Sequence, residues 1–331
     1  MIVGIDIGYS HVKIASNDHT SIFPSVVGSP DLPRFTTSTY DPILIRNGIS
    51  PVLVGHAAVE QSRFTDHRES RDWIHSEQYK ALYYAALTEA SRATRVEVKL
   101  ITGLPLAYYE DKQALRAILA GQHRVTRTYP EGPMTHQYEV DPYVIPQPFG
   151  ALFSLGFSPT GTIQDASLLT GRIGIVDVGG KTTNLLTAEK GGEVVRSTAS
   201  VNKGCWNVVR AIENELSQIC SDLSPRPHEI IEYIKARSVS YYGHQVNLSD
   251  AIREAVTPFA RDVIASATQI WGAGADLDTI LISGGGAHIL GPSLRAHFSR
   301  HSDVRVLEDP VFANVRGYLY YGRWAERGGK I

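Results

Sequence analysis

Two short stretches carry residue types suited to holding a phosphate chain. They are Ile5-Asp6-Ile7-Gly8-Tyr9-Ser10-His11-Val12-Lys13 and Val176-Asp177-Val178-Gly179-Gly180-Lys181-Thr182-Thr183-Asn184. Each reads as an apolar strand, an Asp-x-Gly turn and a second strand. Each aspartate ends a run that reads as buried on both faces, Ile2-Val3-Gly4-Ile5 and Ile173-Gly174-Ile175-Val176. A carboxylate there is costly unless a cation, a proton or hydrogen-bond donors meet it. Gly8 and Gly179-Gly180 let backbone N–H groups turn toward an anion without a Cβ in the way. Ser10, Thr182 and Thr183 add hydroxyl donors, and Lys13 and Lys181 add charge. Asp6 and Asp177 suit Mg²⁺ held through water, since that ion dehydrates reluctantly.

A third stretch, Gly284-Gly285-Gly286, follows the apolar strand Thr279-Ile280-Leu281-Ile282-Ser283. A strand-to-helix glycine turn is a frequent seat for a nucleotide. The pattern is neither G-x-G-x-x-G nor a Walker lysine loop, which argues against a Rossmann fingerprint and a P-loop.

The elements that must carry these loops recur in two similar series. In the first half, strands over 1–16 and 23–28 precede a loop-rich stretch at 29–51, punctuated by Pro30, Pro33, Pro42 and Pro51. A strand at 52–55, helices at 57–63 and 79–92, a strand at 96–101 and a helix at 110–119 follow. Gly132 and Pro133 break the chain before a strand at 138–145. In the second half, strands at 172–179, 183–189 and 193–199 lead into helices at 206–219, 227–236 and 250–271. The strand at 279–283 is followed by a helix at 293–300, a strand at 304–306 and a closing helix at 313–325. The second Asp-x-Gly lies 171 residues after the first. That is too long for a solenoid repeat and fits a duplicated domain.

Composition bounds the rest. A chain of 331 residues with 43% hydrophobic and 20% charged residues has the balance of a globular protein with two domains. The formal net charge of −2 and the lack of a long basic run give direct nucleic-acid binding little support. No run approaches the roughly 20 apolar residues of a membrane span, and the N-terminus lacks the pattern of a signal peptide. The expectation is a soluble cytoplasmic protein. Cys205 and Cys220 make neither a disulfide framework nor a zinc site and are expected to pack as small hydrophobes.

In this order the motifs resemble the actin-like ATPase superfamily. Asp6–Lys13 is similar to its first phosphate loop and Asp177–Thr183 to the second. Ile282-Ser283-Gly284-Gly285-Gly286-Ala287 is similar to its adenosine motif. Gln147-Pro148-Phe149-Gly150-Ala151 and Phe312-Ala313-Asn314-Val315-Arg316-Gly317 resemble its two connecting helices. Ile101-Thr102-Gly103-Leu104-Pro105-Leu106 with Tyr108-Tyr109, and Ala313–Gly317, are most similar to ParM/StbA-type plasmid-segregation actins and their archaeal relatives. Glu232-Tyr233-Ile234-Lys235 resembles a stretch with which bacterial actins hold ribose and adenine.

The resemblance implies an α/β fold of two ribonuclease-H-like domains, mixed sheets flanked by helices, with nucleotide in the cleft between them. Domain I would be 1–168 plus 314–331, and domain II 169–313. It implies Gln147 and Asp177 as the catalytic pair, and Asp6 with Asp177 as the metal-binding pair. Gly8, Tyr9, Ser10, Lys13, Gly179, Gly180, Lys181, Thr182, Glu232, Lys235, Gly284, Gly285 and Gly286 would bind nucleotide. It further implies ATP, or GTP, with Mg²⁺, a homopolymer driven by hydrolysis, and plasmid DNA moved through an adaptor protein. The alternatives are a sugar-type small-molecule kinase and a general cytoskeletal actin-like protein. A kinase would need a sugar-site aspartate that the chain does not show convincingly. Exposed loops at 29–51 and 237–250 are the expected polymer contacts.

Overall fold

The computed structural model describes every residue except 18, 34, 36–41, 47–49, 64, 67–70 and 329–331. Part of the loop-rich stretch expected at 29–51 therefore lies outside the described residues. The chain divides into two compact units, Met1–Ala166 with Phe312–Ile331, and Ser167–Val311.

The first unit begins with an antiparallel meander, β1 (Ile2–Ile7), β2 (His11–Ser16) and β3 (His19–Pro24). Short strands β4 (Val27–Gly28), β5 (Ile43–Arg46) and β6 (Pro51–Val54), helix α1 (His56–Gln61) and β7 (Thr65–Asp66) follow. Helix α2 (Glu77–Ala90) is capped by Ser76, whose Oγ accepts the N–H of Tyr79 at 3.0 Å. Then come β8 (Arg95–Leu104), α3 (Lys112–Leu119), β9 (Gly121–Tyr129), β10 (Gly132–Pro146) and α4 (Phe149–Gly156). The sheet order is β3-β2-β1-β8-β10-β9-β5-β6-β4-β7, with β8 parallel to both β1 and β10.

The second unit repeats the central plan. After α5 (Ala166–Thr170) come β11 (Arg172–Val178), β12 (Thr183–Glu189), β13 (Gly192–Glu193) and β14 (Ala199–Val201). Helices α6 (Cys205–Ile219) and α7 (Pro227–Ala236), hairpin strands β15 (Ser238–Tyr241) and β16 (His244–Asn247), and α8 (Ser249–Trp271) follow. The unit closes with β17 (Thr279–Ser283), α9 (Ala287–His297) and β18 (Val304–Val306). Its sheet runs β13-β12-β11-β17-β18, with β14 also on β12, and β17 is parallel to β11 and β18. The two central strands are buried throughout β17 and nearly so along β11, which is why they read as continuous apolar runs. The last helix, α10 (Ala313–Arg327), belongs to the first unit again.

Several elements differ from the sequence expectation, among them the following three. Strand β9 was not foreseen, because one of its inward positions is Arg127. That side chain is 2% exposed and pairs with Glu89, so a charged residue fills a core position. The strand expected at 193–199 is broken into β13, a 3₁₀ turn at Val195–Ser197 and β14. Helix α9 starts at Ala287, directly after the three glycines, rather than at 293. Pro292 lies within it.

Helices α4 and α10 cross at backbone distance in the first unit. A Cβ on Gly317 would lie 1.8 Å from the Gly150 carbonyl oxygen, and one on Gly150 would lie 2.5 Å from Asn314 Cα. The contact brings Tyr318 onto the segment that precedes α4, where its hydroxyl donates to the Gln147 carbonyl at 3.3 Å.

Candidate functional site

In the first unit the β1–β2 turn closes with the Gly8 N–H donating to the His11 carbonyl at 3.1 Å. At its base Asp6 and Lys13 are register partners. Asp6 is 2% exposed. Its Oδ2 accepts from Lys13 Nζ at 2.9 Å, and its Oδ1 accepts from Gln147 Nε2 at 3.2 Å. A carboxylate has about four lone-pair sites, so half of its acceptor capacity remains for water. Gln147 reaches Asp6 because its own N–H is held by the Leu104 carbonyl at 2.8 Å, at the end of the strand beside β1.

Behind the turn, Tyr9 stacks on Trp73 with centroids 4.7 Å apart at 20°, and Trp73 meets Tyr79 edge-on at 5.1 Å. Burial first, and the Asp6 charge second, push the Tyr79 hydroxyl well above its usual pKa. Tyr79 therefore stays neutral and brings no second negative charge to Asp6. Tyr9 was expected to bind nucleotide; its ring is stacked on Trp73.

In the second unit the β11–β12 turn closes in the same way, with the Gly179 N–H donating to the Thr182 carbonyl at 2.9 Å. Asp177 is 1% exposed and pairs in register with Asn184 on one side and Ser283 on the other. The Asn184 side chain accepts from Ser200 Oγ at 3.1 Å. The glycine turn lies directly against this aspartate. A Cβ on Gly284 would sit 2.6 Å from Asp177 Oδ1 and 2.5 Å from the Val178 carbonyl oxygen, and its φ is +85°. Both space and backbone conformation require glycine there. Gly286 donates to the Val178 carbonyl at 3.0 Å, tying the turn to β11. A Cβ on Gly285 would meet nothing within 4 Å, so the middle of the turn faces open space.

The structure thus brings Asp6, Lys13 and Gln147 together in one unit, and Asp177 and Gly284 together in the other. It adds residues that the sequence reading missed. Helix α6 abuts the second turn: the N–H groups of Cys205 and Trp206 donate to the carbonyls of Gly179 and Gly180 at 3.1 and 2.9 Å. Thr183 Oγ1 donates to the Lys203 carbonyl at 2.9 Å. The signal was present as Gly204-Cys205-Trp206-Asn207, where the Gly204 N–H donates to Asn207 Oδ1 at 2.9 Å, as at a helix start. Cys205, partly buried, and Cys220, buried in the core, are not joined in a disulfide.

Glu232 and Lys235 lie on α7 with side chains 67% and 63% exposed, and they pair with each other at 2.6 Å. Helix α7 meets α6 through an edge-on contact of His228 with Trp206, centroids 5.5 Å apart. Among the described residues no cluster of three His, Cys, Asp or Glu side chains could hold a metal ion by itself. Single carboxylates at strand ends suit Mg²⁺ that also takes phosphate oxygens and keeps several waters. No helix among the described residues is long and apolar enough to cross a membrane.

Two mixed sheets flanked by helices, each carrying an Asp-x-Gly hairpin on its central strands, define the actin-like ATPase fold. Residues 4–150 match the family model for the N-terminal domain of actin-like proteins. Residues 175–296 match the model for the C-terminal part of the archaeal MreB-like actin homologue. The two halves of the chain thus each match a family model of actin-like proteins.

Solved structures share the fold at low identity. A 15-stranded ParM filament from Clostridium botulinum is 23% identical, with a TM-score of 0.81 over 97% of this chain and 98% of that one. An archaeal actin homolog in complex with ADP is 22% identical, with a TM-score of 0.76 over 98% of this chain and 99% of that one. The actin-like protein Alp7A is 17% identical, with a TM-score of 0.75 over 99% and 97% of the two chains. Comparison with curated proteins gives no match.

Proposed function

We propose that this protein is a nucleotide-dependent ATPase that assembles into filaments. The observation that carries the reading is the bond from Gln147 Nε2 to the buried Asp6 Oδ1 at 3.2 Å. It couples an amide able to orient a water to the carboxylate at the base of a phosphate-binding turn.

In this reading the turn of the first unit takes phosphate oxygens with the backbone of Gly8, Tyr9 and Ser10 and the charge of Lys13. The turn of the second unit does so with Gly179, Gly180, Lys181 and Thr182. Gly284, Gly285 and Gly286 receive the nucleoside, with Glu232 and Lys235 as its outer contacts. Asp6 and Asp177 are the carboxylates that would hold hydrated Mg²⁺, which would supply positive charge to the phosphates. Gln147 and Asp177 position the attacking water. Phosphoryl transfer needs positioning and charge stabilisation more than covalent help, so a glutamine is adequate there. ATP is the expected substrate, with GTP as the alternative.

Polymerisation is proposed from the likeness to a ParM filament structure. A net charge of −2 favours attachment to plasmid DNA through an adaptor protein over direct contact, in the cytoplasm. With ATP and Mg²⁺ the protein is expected to pellet in high-speed sedimentation, and without nucleotide to stay in the supernatant. Failure to pellet under any nucleotide and salt condition would remove the filament from the proposal. Gln147→Ala is expected to slow phosphate release about ten- to a hundredfold, the cost of a misplaced water, while nucleotide-dependent pelleting persists. Normal phosphate release from that variant would show that another group orients the water.

A further inference from the structure

Ser25 lies between β3 and β4 and is 1% exposed. Its Oγ donates to the Gly8 carbonyl at 2.6 Å. Its backbone N–H donates to the Ser10 carbonyl at 2.9 Å. One residue therefore takes two carbonyls from the tip of the first turn. Among the described residues every peptide bond is trans. In a planar trans peptide the C=O and N–H point in opposite directions. Drawing the Gly8 carbonyl toward Ser25 aims the Tyr9 N–H away from it. Drawing the Ser10 carbonyl inward does the same for the His11 N–H. Backbone N–H groups presented together on one side form an anion-binding concavity.

The second unit reaches the same result by other means. There the carbonyls of Gly179 and Gly180 are taken by the first N–H groups of α6, those of Cys205 and Trp206. The N–H groups of Gly180 and Lys181 are thereby aimed away from that helix. The first turn receives from a single serine what the second receives from a helix end. The Tyr9 ring is meanwhile held on Trp73. The peptide between Gly8 and Tyr9 is thus fixed from both ends.

We infer that Ser25 is a positioning residue for phosphate recognition: its hydroxyl sets the direction of the Tyr9 N–H, which would meet a nucleotide phosphate oxygen. The inference rests on the nucleotide-binding reading above. It goes beyond that reading by assigning a role to a residue outside the turn.

The test is ADP binding by the full chain, measured by titration calorimetry, with adenosine measured by competition against a fluorescent ADP analogue. Ser25→Ala is expected to weaken ADP about tenfold, the value of one hydrogen bond, and to leave adenosine unchanged. Ser25→Thr, which keeps the hydroxyl, is expected to restore most of the loss. A purely structural role would lower the melting temperature of Ser25→Ala without changing the ratio of ADP to adenosine affinity. An unchanged ratio would therefore overturn the inference. If the unaltered chain bound no ADP, the nucleotide reading itself would fall, a result visible before any variant is made.

Discussion

Gly317→Ala is expected to destabilise the protein by about 3 kcal/mol, although the same change in an exposed helix would stabilise it. Alanine is favoured over glycine in a helix interior by about 1 kcal/mol. Here the added methyl would lie 1.8 Å from the Gly150 carbonyl oxygen. That oxygen is backbone of α4, so no rotamer change relieves the overlap. The Gly150 position cannot yield either, since its own Cβ site is 2.5 Å from Asn314 Cα. Overpacking against flexible side chains costs about 1–3 kcal/mol. Separating two backbones belongs at the upper end or above it, and a loss of 3 kcal/mol is a large part of typical stability. The measurement is the denaturation midpoint, by urea and by heat, of both chains. A higher midpoint for Gly317→Ala would show that α4 and α10 do not meet at backbone distance. The crossing matters for chemistry as well. Residues 147 and 148 sit between β10 and α4, and Tyr318 of α10 donates to the Gln147 carbonyl. Splaying the helices would withdraw Gln147 from Asp6.

The second large effect concerns Asp177. Asp177→Ala is expected to lower the rate of phosphate release on the order of a thousandfold, since both the position of the attacking water and the hold on the charge-neutralising metal would be lost together. Nucleotide affinity is expected to change far less. The separation follows from the surroundings of the residue. The backbone groups of Gly179 and Gly180 are held by α6 independently of the Asp177 side chain, so the turn keeps its shape when the carboxylate is lost. Single-turnover phosphate release and equilibrium ADP binding, measured on the same preparation, resolve the two quantities. Phosphate release at the unaltered rate would take Asp177 out of the mechanism. A parallel collapse of ADP binding would make it a binding residue instead.

Much of the architecture is local in origin, and so it could be read from the chain. The apolar run, the Asp-x-Gly turn and the answering strand are set by neighbours within about ten residues, and both hairpins form as expected. The recurrence of that unit, the buried strand ending in glycines after the second copy and the two connecting-helix motifs together carried the resemblance to the actin-like fold. Elements whose identity depends on distant partners were harder to see. Strand β9 hides behind Arg127, which is acceptable in a core only because Glu89 and Thr88 of α2 meet it and the Tyr129 ring lies 4.7 Å beneath it. The β15–β16 hairpin was passed over because its turn places Tyr242 at φ 50° ahead of Gly243, a conformation that tyrosine rarely adopts. The hydroxyls of Tyr241 and Tyr242 both donate to Asp222, which anchors the turn.

By itself the sequence determined which residues stand at the turns: two aspartates, their glycines, the hydroxyls and lysines, and the glutamine that opens α4. Those depend on residue type and short-range periodicity. Tertiary structure alone decided how these groups are used. It gave Asp6 to Lys13 and Gln147, set Gly284 against Asp177, left Glu232 and Lys235 paired with each other, and locked Tyr9 onto Trp73. It also chose the donors that aim the turns, Ser25 for one and the start of α6 for the other. The reason is physical: a hydrogen-bond partner is settled by distance and direction in space, and residues 17 or 141 positions apart meet only once the sheets and helices have packed.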